Sequence, residues 1–152
     1  DTSFGTAGGL ICYESIYPYV AREDVEAGAE YFLMVSNDSW FDGSAALRQH
    51  LCHAVMRCVE NGRDMARAGN TGISAVISAS GTIEKKSNAD AEEVLVSDIM
   101  PTTERTLYSY IGDLIALPLA GLYAFGIFLM IRGFILKFIA KKREKETISH
   151  NV

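Results

Sequence analysis

The chain has 152 residues, 49% of them apolar and 22% charged, with a formal net charge of −5. The charge is divided: up to Asp113 there are eight Lys and Arg against seventeen Asp and Glu, while from Arg132 onward there are six against two. The acidic part offers no basic stripe to neutralise phosphates, which sets nucleic acid aside as a partner, and three cysteines do not suggest a disulfide framework.

No initiator Met precedes Asp1, and DTSFGTAGG runs straight into an apolar stretch, so the chain is expected to be an interior piece of a longer protein. Gly8 to Cys12 (GGLIC) reads as a short buried strand ending in a turn. Pro18 suits the first turn of a helix running to about Ala27, closed by Gly28. Tyr31 to Val35 (YFLMV) is a continuous apolar run of strand length, the pattern of a strand buried on both faces. Ser36 to Ser44 is polar and glycine-containing, hence loop, although it carries Trp40 and Phe41. From Ala45 to about Asn61, Leu47, Leu51, Val55 and Cys58/Val59 recur at helical spacing, with Gly62 as the stop.

Ile73–Ile77 and Val94–Ile99 read as further strands, with a polar hairpin-like excursion over Gly81–Asn88 after the SASGT turn. This order predicts an α/β fold with buried strands. The roughly 112 residues involved suffice for half of a large layered domain, whose apolar strand faces would then be exposed.

Leu114 to Ile131 (LIALPLAGLYAFGIFLMI) contains no charge. As a helix it would be roughly 27 Å long, close to the hydrocarbon thickness of a bilayer, and it can continue to Ala140 if Arg132 and Lys137 snorkel. A buried core helix is the alternative. The KKREK run that follows favours the cytoplasmic side, which puts the acidic part on the outer face of the membrane. The predicted organisation is therefore a partial α/β domain (1–112), a transmembrane helix (113–140) and a basic cytoplasmic tail (141–152).

Cys12 sits where an apolar strand ends, in L-I-C-Y-E-S. A strand-to-helix elbow exposes a nucleophile and leaves backbone N–H groups free to stabilise an oxyanion, and a thiolate is well suited to acyl transfer. A buried, inert cysteine is the competing reading. Glu14 stands too near in sequence for its role as a base to be fixed. Trp40 and Phe41 either pack back on the core or form an apolar wall suited to an acyl chain. The stripe His50, His53, Arg57 and Glu60 could stiffen the site through an Arg57–Glu60 pair or supply a histidine base. No Cys or carboxylate completes a metal ligand set around the two histidines, and no cofactor is expected. Arg67, ahead of Asn70-Thr71-Gly72, places a cation and several donors where they meet a carboxylate, either internal or from a substrate.

Taken in order, G-G-L-I-C-Y-E-S (8–15), V-S-N-D-S-W-F (35–41), Gln49-His50, Arg57, Glu60-Asn61-Gly62-Arg63, R-A-G-N-T-G-I-S-A (67–75) and T-L-Y-S-Y-I-G-D (106–113) resemble the nitrilase (carbon–nitrogen hydrolase) superfamily. Within it they resemble the apolipoprotein N-acyltransferases. The resemblance implies the C-terminal half of an α-β-β-α sandwich followed by one transmembrane helix, with Cys12 as nucleophile and Tyr13 and Glu14 as the two residues after it that these acyltransferases need. Asn37, Trp40, Phe41, Arg67 and Asn70 become the residues expected to bind substrate. The Glu base and the Lys of the family lie upstream of Cys12 and have no match here. The implied reaction moves an acyl chain from a membrane phospholipid, through a Cys12 thioester, to the α-amine of a diacylglyceryl-modified apolipoprotein. It would run at the periplasmic face of a bacterial inner membrane. The rivals are an amidase of the same superfamily and a membrane-anchored, non-catalytic binding module.

Overall fold

The structure, a computed structural model, describes residues 3–150, with side chains for all of these except 115 and 138–150. It divides into two compact units, Asp1–Gly112 and Asp113–Val152.

In the first unit, strands β1 (Ala7–Ile11), β2 (Tyr31–Asn37), β3 (Met65–Asn70), β4 (Ala75–Ile77) and β5 (Ile83–Lys86) form one sheet in sequential order. β1, β2 and β3 run parallel, and β4 and β5 are antiparallel. Helices α1 (Pro18–Glu26) and α2 (Ala45–Asn61) make the two crossovers between the parallel strands. Successive right-handed crossovers in one direction put both helices on one face of the sheet. That face is the core: Leu10, Phe32, Met34, Met65, Ala75 and Ile77 from the strands pack with Ala21, Val25, Leu51, Ala54 and Cys58 from the helices. Each large apolar side chain buried there contributes roughly 1.5–3 kcal/mol.

Local chemistry fixes the helix limits. Pro18 stands in the first turn of α1 and cannot donate a bond, where none is needed. Ser44 caps α2, its Oγ accepting from the Ala46 N–H at 3.3 Å. Gly62 ends it at φ +63°, in the left-handed region open to glycine at no steric cost. The SASGT turn also forms: the Gly81 N–H donates to the Ser78 carbonyl and the Ser78 N–H to that of Thr82.

Three expectations are corrected. β2 alternates rather than being buried on both faces, with Leu33 44% and Val35 55% exposed, because both helices lie on the other side. Val94–Ile99 is not a strand: Val94 is 91% exposed, and the extended segment is tied down singly, through the Val96 carbonyl to Lys85 Nζ and the Met100 N–H to Asp64. The polar excursion over Gly81–Asn88 contains β5, and Met65–Asn70, unread as a strand, is β3 at the centre of the sheet.

A short helix, α3 (Leu107–Ile111), closes the first unit, its N-cap Thr106 Oγ1 accepting from the Ser109 N–H. The second unit is dominated by α4 (Ala116–His150). The helical stretch through Lys137 is long and apolar enough to cross a membrane, and none of its apolar window is buried. Leu117, Leu122, Phe125, Phe128 and Ile131 are all exposed, which differs from a buried core helix. The backbone is helical through His150, whereas the side chains of the basic run expected as a tail lie outside the described residues.

Candidate active site

Cys12 follows the last residue of β1 and begins a 3-10 turn, Cys12–Ile16. Its φ is +52°, a left-handed conformation that costs a non-glycine residue roughly 1–2 kcal/mol. The surrounding structure supplies that energy. Glu14 Oε2 accepts from the Ile11 N–H at 2.7 Å, folding the turn back on the strand. Arg57 Nη1, from α2, donates to the Ser15 and Ile16 carbonyls at 3.3 and 3.1 Å. Arg57 is itself oriented by Glu60, with Nη2 donating to Oε1 at 2.9 Å and Nε 2.8 Å from Oε2, so the stiffening Arg57–Glu60 pair is present.

Beneath the turn lies a buried polar cluster. Asp38, just past the end of β2, receives Arg67 Nη2 on Oδ2 at 2.6 Å and Ser36 Oγ on Oδ1 at 2.6 Å. His50 Nδ1 is 2.9 Å from Asp38 Oδ1, and His50 Nε2 is 3.1 Å from both the Cys12 carbonyl oxygen and Ser15 Oγ. Arg67 also donates from Nε to the Ile73 carbonyl at 3.1 Å and from Nη1 to Met34 Sδ. Burial pulls the Arg67 guanidinium below its ordinary pKa, partly offset by Asp38. Gly72 is required here for space: a Cβ added to it would stand 2.1 Å from Asp38 Oδ2.

Above the turn, Cys12 opens on a depression of about 530 Å³ lined by Ile11, Cys12, Val35, Asn37, Trp40 and Asn70 among others. Asn37 and Asn70 are register partners on β2 and β3, with Asn70 Nδ2 3.4 Å from Asn37 Oδ1. The two loop aromatics part company. Trp40 stands at the rim, 87% exposed, while Phe41 turns in against Tyr13 and His50, with ring centroids 6.3 and 5.6 Å away.

Of the residues singled out from sequence, Cys12, Asn37, Trp40 and Asn70 therefore share one surface. Tyr13 and Glu14 flank it. Arg67 does not reach it: the carboxylate it meets is internal, that of Asp38, and its side chain is fully buried. Asp38 and Ser36 were missed, although an acid closing the apolar run Y-F-L-M-V-S-N-D was a visible signal. The other thiols contrast with Cys12. Cys52 is exposed on α2, and burial pushes the Cys58 thiol up to about 12. The His53 pKa is lowered by partial burial and by Arg57 and His50.

Two curated relatives are named apolipoprotein N-acyltransferase. That of Geobacter metallireducens is 36% identical over 116 residues, 76% of this chain and 22% of the relative. That of Haemophilus influenzae is 34% identical over 132 residues, 87% of this chain and 24% of the relative. The chain thus spans under a quarter of the length of these relatives. Among solved structures, a carbon-nitrogen hydrolase from Helicobacter pylori G27 superposes with a TM-score of 0.55 at 21% identity, covering 60% of this chain and 39% of that one. Saccharomyces cerevisiae Nit3, of the nitrilase superfamily, gives 0.51 at 23%, covering 60% and 36%. These two establish a nitrilase-like α/β fold with a mixed sheet. Residues 1–108 match the carbon-nitrogen hydrolase family, and the chain belongs to that family.

Proposed function

We propose that this chain forms the C-terminal part of an apolipoprotein N-acyltransferase, with residues 1–112 as part of its sandwich domain, residues 113–140 as a membrane span and the tail from 141 in the cytoplasm. The observation that carries the reading is the setting of Cys12. It stands on a left-handed elbow, opens on a depression walled by Ile11, Val35 and Trp40, and belongs to a chain that also holds a bare apolar helix. The relatives' shared name supports the same reading.

In the proposed reaction the Cys12 thiolate attacks an ester carbonyl of a membrane phospholipid. The tetrahedral intermediate expels the lysophospholipid alkoxide, which takes up a proton, and leaves an acyl thioester on Sγ. The α-amine of a diacylglyceryl-modified apolipoprotein Cys then attacks the thioester carbonyl. The thiolate departs, the nitrogen loses a proton, and an amide results. In this scheme the Tyr13 N–H is a donor to both oxyanions. Asn37 and Asn70 bind polar groups of substrate, Trp40 lines the acyl chain, and the apolar wall limits hydrolysis of the thioester. Glu14 acts through the backbone it holds, and Phe41 through Tyr13. With both substrates lipid-borne, a site tethered to the periplasmic face of the bacterial inner membrane meets them at high effective concentration.

The test uses the full-length gene product in membranes. Mass spectrometry should find a fatty acyl group on Cys12, and Cys12→Ser should abolish lipoprotein N-acylation. Normal N-acylation by that variant ends the proposal, and release of ammonia from small amides without acyl transfer replaces it with an amidase.

A further inference from the structure

The polar cluster under the elbow has no part in the reaction as written, yet it is the most heavily bonded group of buried side chains in the chain's described residues. Its upper end touches the backbone at one atom, the carbonyl oxygen of Cys12, which receives Ser15 Oγ at 3.1 Å and faces His50 Nε2 at 3.1 Å. Both partners are buried, Ser15 completely. The peptide joining Cys12 to Tyr13 is trans, so its C=O and N–H point in opposite directions. With the carbonyl drawn down onto His50, the Tyr13 N–H is turned away from the core. At the first turn of a 3-10 helix that N–H has no intrahelical acceptor.

The geometry points to His50 as a positioning residue that locks this peptide in the orientation presenting the Tyr13 N–H to the oxyanion: both ring N–H groups are used, Nε2–H donating to the Cys12 carbonyl and Nδ1–H to Asp38, while Arg67 and Ser36 fix Asp38. A flipped peptide would put the Cys12 carbonyl oxygen where the oxyanion forms, replacing attraction by repulsion. The left-handed φ of Cys12 makes the lock necessary, because the elbow is not the conformation this residue prefers on its own. The inference rests on Cys12 being the acylated nucleophile, as proposed above.

Two reactions of the same thiol test it, in the full-length gene product solubilised in detergent. Acylation by a p-nitrophenyl fatty ester passes through an oxyanion, whereas alkylation by iodoacetamide does not. In His50→Leu, acylation of Cys12 should fall about 10²–10³-fold, the usual loss for one oxyanion donor, while alkylation stays within about two-fold of the parent. His50→Gln, whose amide nitrogen sits near the place of Nε2, should regain most of the acylation rate. The lock is overturned if His50→Leu acylates at the parent rate, if acylation and alkylation fall together, or if Gln and Leu behave alike. A parent protein acylated by the activated ester but never by phospholipid sinks the acyltransferase reading and leaves the lock standing; one acylated by neither sinks both.

Discussion

Two regions of this molecule invert the ordinary partition of charged groups outside and hydrocarbon inside. Under the Cys12 elbow, Asp38, His50 and Arg67 are buried together. Along α4, Leu, Phe and Ile side chains are bare. The first inversion is compensated within the chain, since each buried charge meets an opposite charge or a backbone acceptor at hydrogen-bond distance. The second has no compensation among the described residues, and the bilayer is the compensating medium we propose. Buried charge that is matched internally marks a rigid site, whereas exposed hydrocarbon marks a surface completed by something outside the chain.

That contrast can be broken from either side. Asp38→Ala should have the largest effect, about 3–5 kcal/mol lost from the sheet-and-helix domain, because it leaves Arg67 buried without its partner. Denaturant unfolding of the full-length protein would measure it, and a loss under 1 kcal/mol would mean the ion pair is not buried as described. On the other side, Leu122→Arg puts a charge near the middle of the proposed span at about 2.5–3.5 kcal/mol. A fluorescent protein fused after Val152, dark in the periplasm, should glow in the parent and dim in the variant; equal fluorescence argues against a span there.

Gly72→Ala comes next. Its methyl group must displace the Asp38 carboxylate, an overpacking that costs about 1–3 kcal/mol. Thermal unfolding should show the decrease, and an unchanged midpoint would show that the cluster yields freely. The smallest effect belongs to Asp24, half-buried on α1, whose Oδ2 has no hydrogen-bond partner. Burial raises its pKa, so the folded state disfavours its ionised form, and that penalty is present at neutral pH and relieved as pH falls through the folded pKa. Asp24→Asn should therefore raise the melting temperature slightly at pH 7, with the gain fading on acidification.

The legible parts of the fold were those whose signals are local. α2 announces itself by an apolar stripe between Ser44 and Gly62, and the elbow by an apolar strand that stops at a cysteine. β3 did not, because M-A-R-A-G-N has neither alternating apolar residues nor β-branched ones; its neighbours β2 and β4 make it a strand by pairing with both sides of it. Val94–Ile99 erred in the opposite direction, with strand-like composition but no ladder to any strand among the described residues. Asn37, Trp40 and Asn70 lie beside Cys12 because polar or aromatic residues at or just past strand ends gather at one edge of a parallel sheet. For Arg67 the sequence left an internal and a substrate carboxylate open, since its partner Asp38 is 29 positions away and only the fold brings the two together.

Trp40 is the single tryptophan of these 152 residues, and it stands in water at the rim of the depression that holds Cys12. The site thus carries its own optical reporter. A hydrocarbon chain settling beside the indole would move its emission toward the blue, and a bromine atom along that chain would quench it by an amount set by depth. Once other tryptophans of the full-length protein are replaced by phenylalanine, the seating of the donor could be followed in real time, ahead of any chemistry at the sulfur.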